Sequence, residues 1–235
     1  MNVLAEGKTF LVAYPEQGTS ANGSRCWDWF QATDQQRNVG EPSSIAGITH
    51  QIISEYHVNV RQVYAVGLSS GGAMATIMAA TYPDLYAAIG VHSGLPYGAA
   101  NDLPSAFAAM KQGAPQHAWS LSEFIPLIVF HGDRDTTVAP VNADRLLDQW
   151  LHTANKGPRR VQEVRVERGH ATRGHAYTRS LYYDVSGQTI IEKWMVHQAG
   201  HAWSGGSPDG SFTDPKGPDA SAEMIRFFME HARVI

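Results

Sequence analysis

The chain has 235 residues, enough for one large domain, and its 43% hydrophobic and 17% charged residues exclude the low-hydrophobicity, high-charge profile of disorder. A net charge of −4 gives no general attraction to nucleic acid or an anionic membrane. No apolar run nears the roughly 20 residues that span a bilayer.

Met1 to Lys8 lacks the basic-then-apolar pattern of a signal peptide. Residues 10–14, Phe-Leu-Val-Ala-Tyr, read as a buried strand stopped by Pro15. The only cysteine, Cys26, permits no intrachain disulfide. Residues 42–56 read as a helix, with Pro42 in its first turn and Ile45, Ile48, Ile52 and Tyr56 at helical spacing. A second buried strand over 63–68 leads into a small-residue helix over 70–81. Strands follow at 87–92 and 125–131, then a helix at 141–151. The basic stretch from Lys156 to Arg179, interrupted by Glu163 and Glu167, reads as a solvated edge strand and loop. Residues 180–185, 186–188 and 190–196 read as strand, turn and strand, and 219–230 as a closing helix. Residues 17–40 and 93–123 read as long loops of the kind that form binding sites or lids. Apolar strands alternating with helices predict an α/β fold, a mainly parallel sheet covered on both faces within one domain spanning 1–235.

Gly67-Leu68-Ser69-Ser70-Gly71-Gly72 follows a strand and opens a helix. In that context G-x-S-x-G is the nucleophile elbow of an α/β-hydrolase. The turn is tight enough that flanking glycines avoid collisions, and the helix aims its N–H groups and positive dipole end at the serine. Ser69 is the candidate nucleophile, and the Ser70 N–H a candidate oxyanion donor. A phosphate loop is excluded because the segment lacks the lysine of G-x-x-x-x-G-K-[ST] and none follows nearby.

A serine needs a base, and the order expected in this fold is Ser, then Asp or Glu, then His. Asp133 and Asp135 both follow the strand ending near His131 and compete for the role of acid. Of eleven histidines, His201 lies between glycines in a loop after the last strand, the expected position of the base. His170, His175 and His197 fall in the strand region, and His117 in the long loop. His92 ends a strand and could border the site, but precedes both acids; His131 also precedes Asp135 and reads as a locally packed residue. There is no H-E-x-x-H and no cysteine pair, so no metal or other cofactor is expected.

These segments together resemble the esterase family of the poly(3-hydroxybutyrate) depolymerases. The resemblance rests on residues 11–17, 26–30 (Cys-Trp-Asp-Trp-Phe), 34–37, 67–74, 82–84, 92–97 (His-Ser-Gly-Leu-Pro-Tyr), 131–135 (His-Gly-Asp-Arg-Asp), 200–206 (Gly-His-Ala-Trp-Ser-Gly-Gly) and 217–221. It implies Ser69 as nucleophile, Asp135 as acid, His201 as base, and Trp203 and Trp27 near an ester-binding cleft. It implies a substrate among hydroxyalkanoate polyesters or, as in relatives, feruloyl or acetyl esters of plant polysaccharides, and a secreted setting. It further implies an upstream strand ending in His-Gly-Cys, with an oxyanion loop, that this sequence lacks. The expectation is an N-terminally truncated fold, with a gap between residues 10–14 and 63–68 and Cys26 left as a free thiol. Such a gap could recruit a second copy by strand addition. Three readings follow: a serine esterase, an impaired fragment that assembles through its open sheet, and a binding module without turnover.

Overall fold

A computed structural model describes residues 1–116 and 121–233. Helix α1 is Asn2–Lys8 and α2 is Gly40–Tyr56, followed by β1 (Tyr64–Leu68), α3 (Ser70–Thr81) and β2 (Ala88–His92). Next come α4 (Leu103–Gln112), β3 (Leu127–Gly132) and α5 (Val141–Ala154), then β4 (Val161–His170), β5 (Ala176–Asp184) and β6 (Thr189–Val196). The chain closes with the short strands β7 (Trp203–Ser204) and β8 (Thr213–Asp214) and helix α6 (Ala220–Met229).

Six strands form one sheet in the order β1-β2-β3-β6-β5-β4. The pairs β1–β2, β2–β3 and β3–β6 are parallel, and β5 pairs antiparallel with both β6 and β4. Strands β2 and β3 are buried throughout, which explains their unbroken apolar sequences. Alternation sends Ile89, Val91, Leu127 and Val129 to one face, against Leu146, Leu147 and Trp150 of α5. Ala88, Ile128 and Phe130 pack on the other face against Met224, Phe227 and Phe228 of α6. Helix α3 is buried from Gly72 to Ala79, as its all-round apolar composition requires. Asp219 caps α6 by accepting from the Ala222 N–H.

Three expectations need correction. Residues 10–14 form no strand. They have no sheet neighbour for their backbone groups; Phe10 packs near Tyr64 and the α6 cluster, while Leu11 and Tyr14 are exposed. The expected gap between two strands is therefore an open edge along one strand, β1, where Val66 is 39% exposed. The helix expected over 42–56 is present as α2, which buries Pro42 and Ala46 and packs Ile45 and Ile53 inward, leaving Ile48 and Tyr56 exposed. Its orientation is set by packing on α3 and by the 3.0 Å contact of Thr49 Oγ1 with Tyr86 Oη. The loop expected over 93–123 contains α4, opened by a capping box in which Asp102 accepts from the Ser105 N–H. Residues 117–120 of that loop, His117 among them, lie outside the described residues.

Candidate active site

The parallel strands β1, β2, β3 and β6 end at one edge of the sheet, the edge at which open α/β sheets bind their ligands. Ser69 lies between β1 and α3 with φ 57° and ψ −120°, a conformation costly for a residue with a side chain. Gly67 makes it possible: a Cβ there would stand 2.1 Å from the Gly71 carbonyl carbon. Gly71 itself faces open space, whereas a Cβ at Gly72 would crowd the His92 carbonyl oxygen at 3.2 Å. The steric demand thus falls on Gly67 and Gly72 rather than on both glycines of the pentapeptide. The Ser69 N–H donates to His92 O at 2.9 Å. Ser70 opens α3, so its N–H has no acceptor within the helix.

The turn after β3 separates the two competing acids. Asp135 is buried, and its Oδ1 accepts the N–H groups of Thr137 and Val138, both at 2.9 Å. Its Oδ2 lies 2.7 Å from His201 Nδ1 and 3.4 Å from His131 Nε2. Burial works to raise the Asp135 pKa, yet the hydrogen bonds from His131, His201 and Val138 hold it well below the ordinary carboxylate range. Asp133 faces outward: its Oδ2 meets His197 Nδ1 at 2.9 Å and its Oδ1 accepts the Gln198 N–H at 2.6 Å. It braces the start of the loop that carries His201. That loop lies against the end of β3 so closely that a Cβ at Gly132 would be 2.4 Å from Ala199 O.

His201 and Asp135 are brought together. Among the described residues no hydrogen bond joins Ser69 Oγ to His201 Nε2; such contacts often tighten only when substrate binds. His92 and His131 also belong to the site. His131 Nε2 donates to Val138 O at 2.9 Å, the local role expected for it. Its spacing of four residues from Asp135 was the available signal for its second contact. His92 is buried, and its Nε2 accepts the Ser204 N–H at 2.9 Å. Burial first, then the nearby His131 and His201, push its pKa down to about 3, so the ring is neutral. With Nε2 accepting, the proton resides on Nδ1, 3.1 Å from Ser93 Oγ.

The two tryptophans part company. Trp203 stacks on His92 with ring centroids 5.2 Å apart and donates to Ser221 Oγ at 3.1 Å. Trp27 packs against the cluster of Met74, Met78 and Tyr82 on the α3 side of the sheet, while Trp203 packs on the α6 side. Cys26 is an exposed free thiol. Among the described residues, no group of three or more His, Cys, Asp or Glu is arranged to hold a metal ion, and no helix is long and apolar enough to cross a membrane.

Comparison with known proteins gives a consistent family. The family model for "Esterase PHB depolymerase" matches residues 1–169, a span that includes Ser69 and Asp135 but not His201. Poly(3-hydroxyalkanoate) depolymerase C of Paucimonas lemoignei is 28% identical over 212 residues, covering 85% of this chain and 49% of that protein. Acetylxylan esterase A of Aspergillus ficuum is 34% identical over 165 residues, covering 63% of this chain and 54% of that protein. The chain thus spans about half the length of the curated relatives it matches. Among solved structures, the acetyl xylan esterase from Aspergillus awamori superposes with a TM-score of 0.71 at 23% identity, covering 97% of this chain and 80% of that one. The PHB depolymerase from Penicillium funiculosum superposes with a TM-score of 0.52 at 20% identity, covering 74% and 52%. These likenesses establish the α/β-hydrolase fold.

Proposed function

Because the chain belongs to the esterase family of the PHB depolymerases, we propose that it hydrolyses carboxylic esters through an acyl-enzyme on Ser69. Ser69 Oγ attacks the ester carbonyl as His201 Nε2 takes its proton. Asp135 orients His201 through Nδ1 and stabilises the imidazolium that forms. The Ser70 N–H and the dipole end of α3 hold the oxygen that becomes negative. His201 then protonates the leaving alcohol, and water, activated by the same imidazole, releases the acid and restores Ser69. The observation that carries this reading is the 2.7 Å contact of His201 with a buried, ionised Asp135, at the same sheet edge as a strained serine elbow.

The substrate class is a polyester of 3-hydroxyalkanoic acids, in line with the depolymerase among the relatives. Trp203 and Trp27 are the aromatic faces proposed to meet such a chain. Acetyl or feruloyl esters of polysaccharides are the alternative, favoured by the acetylxylan esterases among the relatives. A polymer supplied from outside cannot cross a cell membrane, so an extracellular setting suits this substrate. Hydrolysis of p-nitrophenyl butyrate, lost in Ser69→Ala, tests the reaction. Release of soluble hydroxy acid from poly(3-hydroxybutyrate) granules, against acetate from acetylated xylan, tests the substrate. A folded protein that turns over none of these contradicts the proposal.

The open edge of β1 supports a second reading, in which two copies pair through it. Sedimentation velocity tests this: a dimer dispersed by proline substitution at Val66 supports edge pairing, and a monomer at all concentrations rules it out.

A further inference from the structure

His92 bridges the two halves of the site. It is the last residue of β2 and pairs in register with Leu68, immediately before the nucleophile. Its carbonyl oxygen accepts the Ser69 N–H at 2.9 Å, and a Cβ at Gly72 would crowd the same carbonyl at 3.2 Å. Its imidazole Nε2 accepts the Ser204 N–H at 2.9 Å, three residues beyond His201. The ring stacks on Trp203 at 5.2 Å and on Phe130 at 5.8 Å. Ser204 is in turn fixed by its hydroxyl, which donates to Pro218 O at 2.7 Å. One buried side chain therefore separates the serine elbow from the loop that presents the base.

We propose that His92 is a positioning residue: its Nε2 lone pair and its ring hold the 201–204 loop at the distance from the elbow at which His201 serves Ser69. The proposal rests on the esterase reading above. Ser204 is buried, so its N–H needs an acceptor, and His92 Nε2 is the one it has. A ring without an acceptor nitrogen leaves that donor unpaired, so the loop shifts to satisfy it. Small shifts matter here, since a displacement of about 1 Å at a reacting group can cost about 100-fold in rate. The effect falls on kcat, because the loop supplies the base rather than the ester's binding surface.

The test uses three forms of the protein. His92→Phe keeps a stacking ring and removes the acceptor; His92→Gln removes the ring and places an amide oxygen near the Nε2 position. With p-nitrophenyl butyrate, His92→Phe is expected to lower kcat by about 10- to 100-fold with KM within about twofold. His92→Gln is expected to recover most of that loss. Wild-type kcat in His92→Phe overturns the proposal, as does equal loss of kcat in both variants at unchanged thermal midpoint. Nitrogen NMR of histidine-labelled wild-type protein requires no variant to fold. The proposal requires a neutral His92 protonated at Nδ1, with its Nε2 hydrogen-bonded to the Ser204 amide; an Nε2-protonated tautomer overturns it. If wild-type protein fails to hydrolyse the ester, the esterase reading fails, while the NMR result still decides whether His92 supports the loop.

Discussion

Asp135 Oδ2 lies 2.7 Å from His201 Nδ1 across 66 residues of chain, while Asp133, two positions earlier, is bonded to His197 and to the Gln198 N–H. Two aspartates in one turn thus meet two histidines at the ends of one loop segment. Only Asp135 is buried at the sheet edge beside the serine elbow.

That division predicts unequal mutants. Asp135→Asn leaves the shape intact but accepts poorly from His201 and removes the charge that stabilises its protonated form; kcat for an ester is expected to fall by about 10³–10⁴. Asp133→Asn keeps an acceptor for the Gln198 N–H and changes kcat less than about tenfold. Steady-state kinetics on both variants check this, and equal effects contradict it.

The elbow predicts a similar contrast. Gly67→Ala places a Cβ 2.1 Å from the Gly71 backbone, whereas the same change at Gly71 meets nothing within 4 Å. Gly67→Ala is therefore expected to destabilise the fold by about 3 kcal/mol or more and abolish turnover. Gly71→Ala is expected to retain the wild-type urea midpoint. Chemical denaturation monitored by tryptophan fluorescence distinguishes the two.

The strand-to-helix step at Ser69, the buried strands β2 and β3 and the helices α3 and α6 were legible in the sequence because local pattern and packing agree there. Residues 10–14 have the apolar content of a strand, but strand formation needs a neighbour, which no local pattern reports. The helix over 42–56 was legible in its spacing, but not the stripe it buries: α3 engages Ile45 and Ile53 and leaves Ile48 and Tyr56 exposed. Helix α4 announced itself through Asp102, Pro104 and Ser105, a capping signal overlooked within an irregular stretch. The choice of Asp135 over Asp133 is a matter of side-chain direction in a turn, and the residues alone left both open.

Glu192 is buried in the middle of β6, where it accepts from Arg179 Nη2 at 2.9 Å, Arg226 Nη2 at 2.7 Å and Trp194 Nε1 at 3.1 Å. Glu192→Ala leaves two guanidinium groups without their shared carboxylate and should cost about 3–5 kcal/mol. Thermal denaturation checks this; a loss below about 1 kcal/mol would mean the network carries little of the sheet's stability.

Glu41 gives a pH signature of its own. Burial, above all, pushes its pKa from 4.5 up to about 7, assisted by Asp34 and Asp28 and opposed by the hydrogen bonds from the Asp28 N–H and Gln17. A pKa raised in the folded state means that the native protein binds this proton more tightly than the unfolded chain. The contribution of Glu41 is complete below about pH 4.5 and is lost as pH rises through about 7. Glu41→Gln should therefore gain stability relative to wild type across that window, measured as the difference in urea midpoints. Parallel pH curves for the two proteins contradict the assignment.

Hydrolysis through an acyl-enzyme requires Ser69 to carry the acyl group. Rapid quenching of the protein with p-nitrophenyl butyrate, followed by intact-mass and peptide analysis, tests it most directly. One butyryl group is expected on the peptide containing Ser69, absent in Ser69→Ala. Ester turnover with no adduct at Ser69, or with the adduct on another residue, would contradict it.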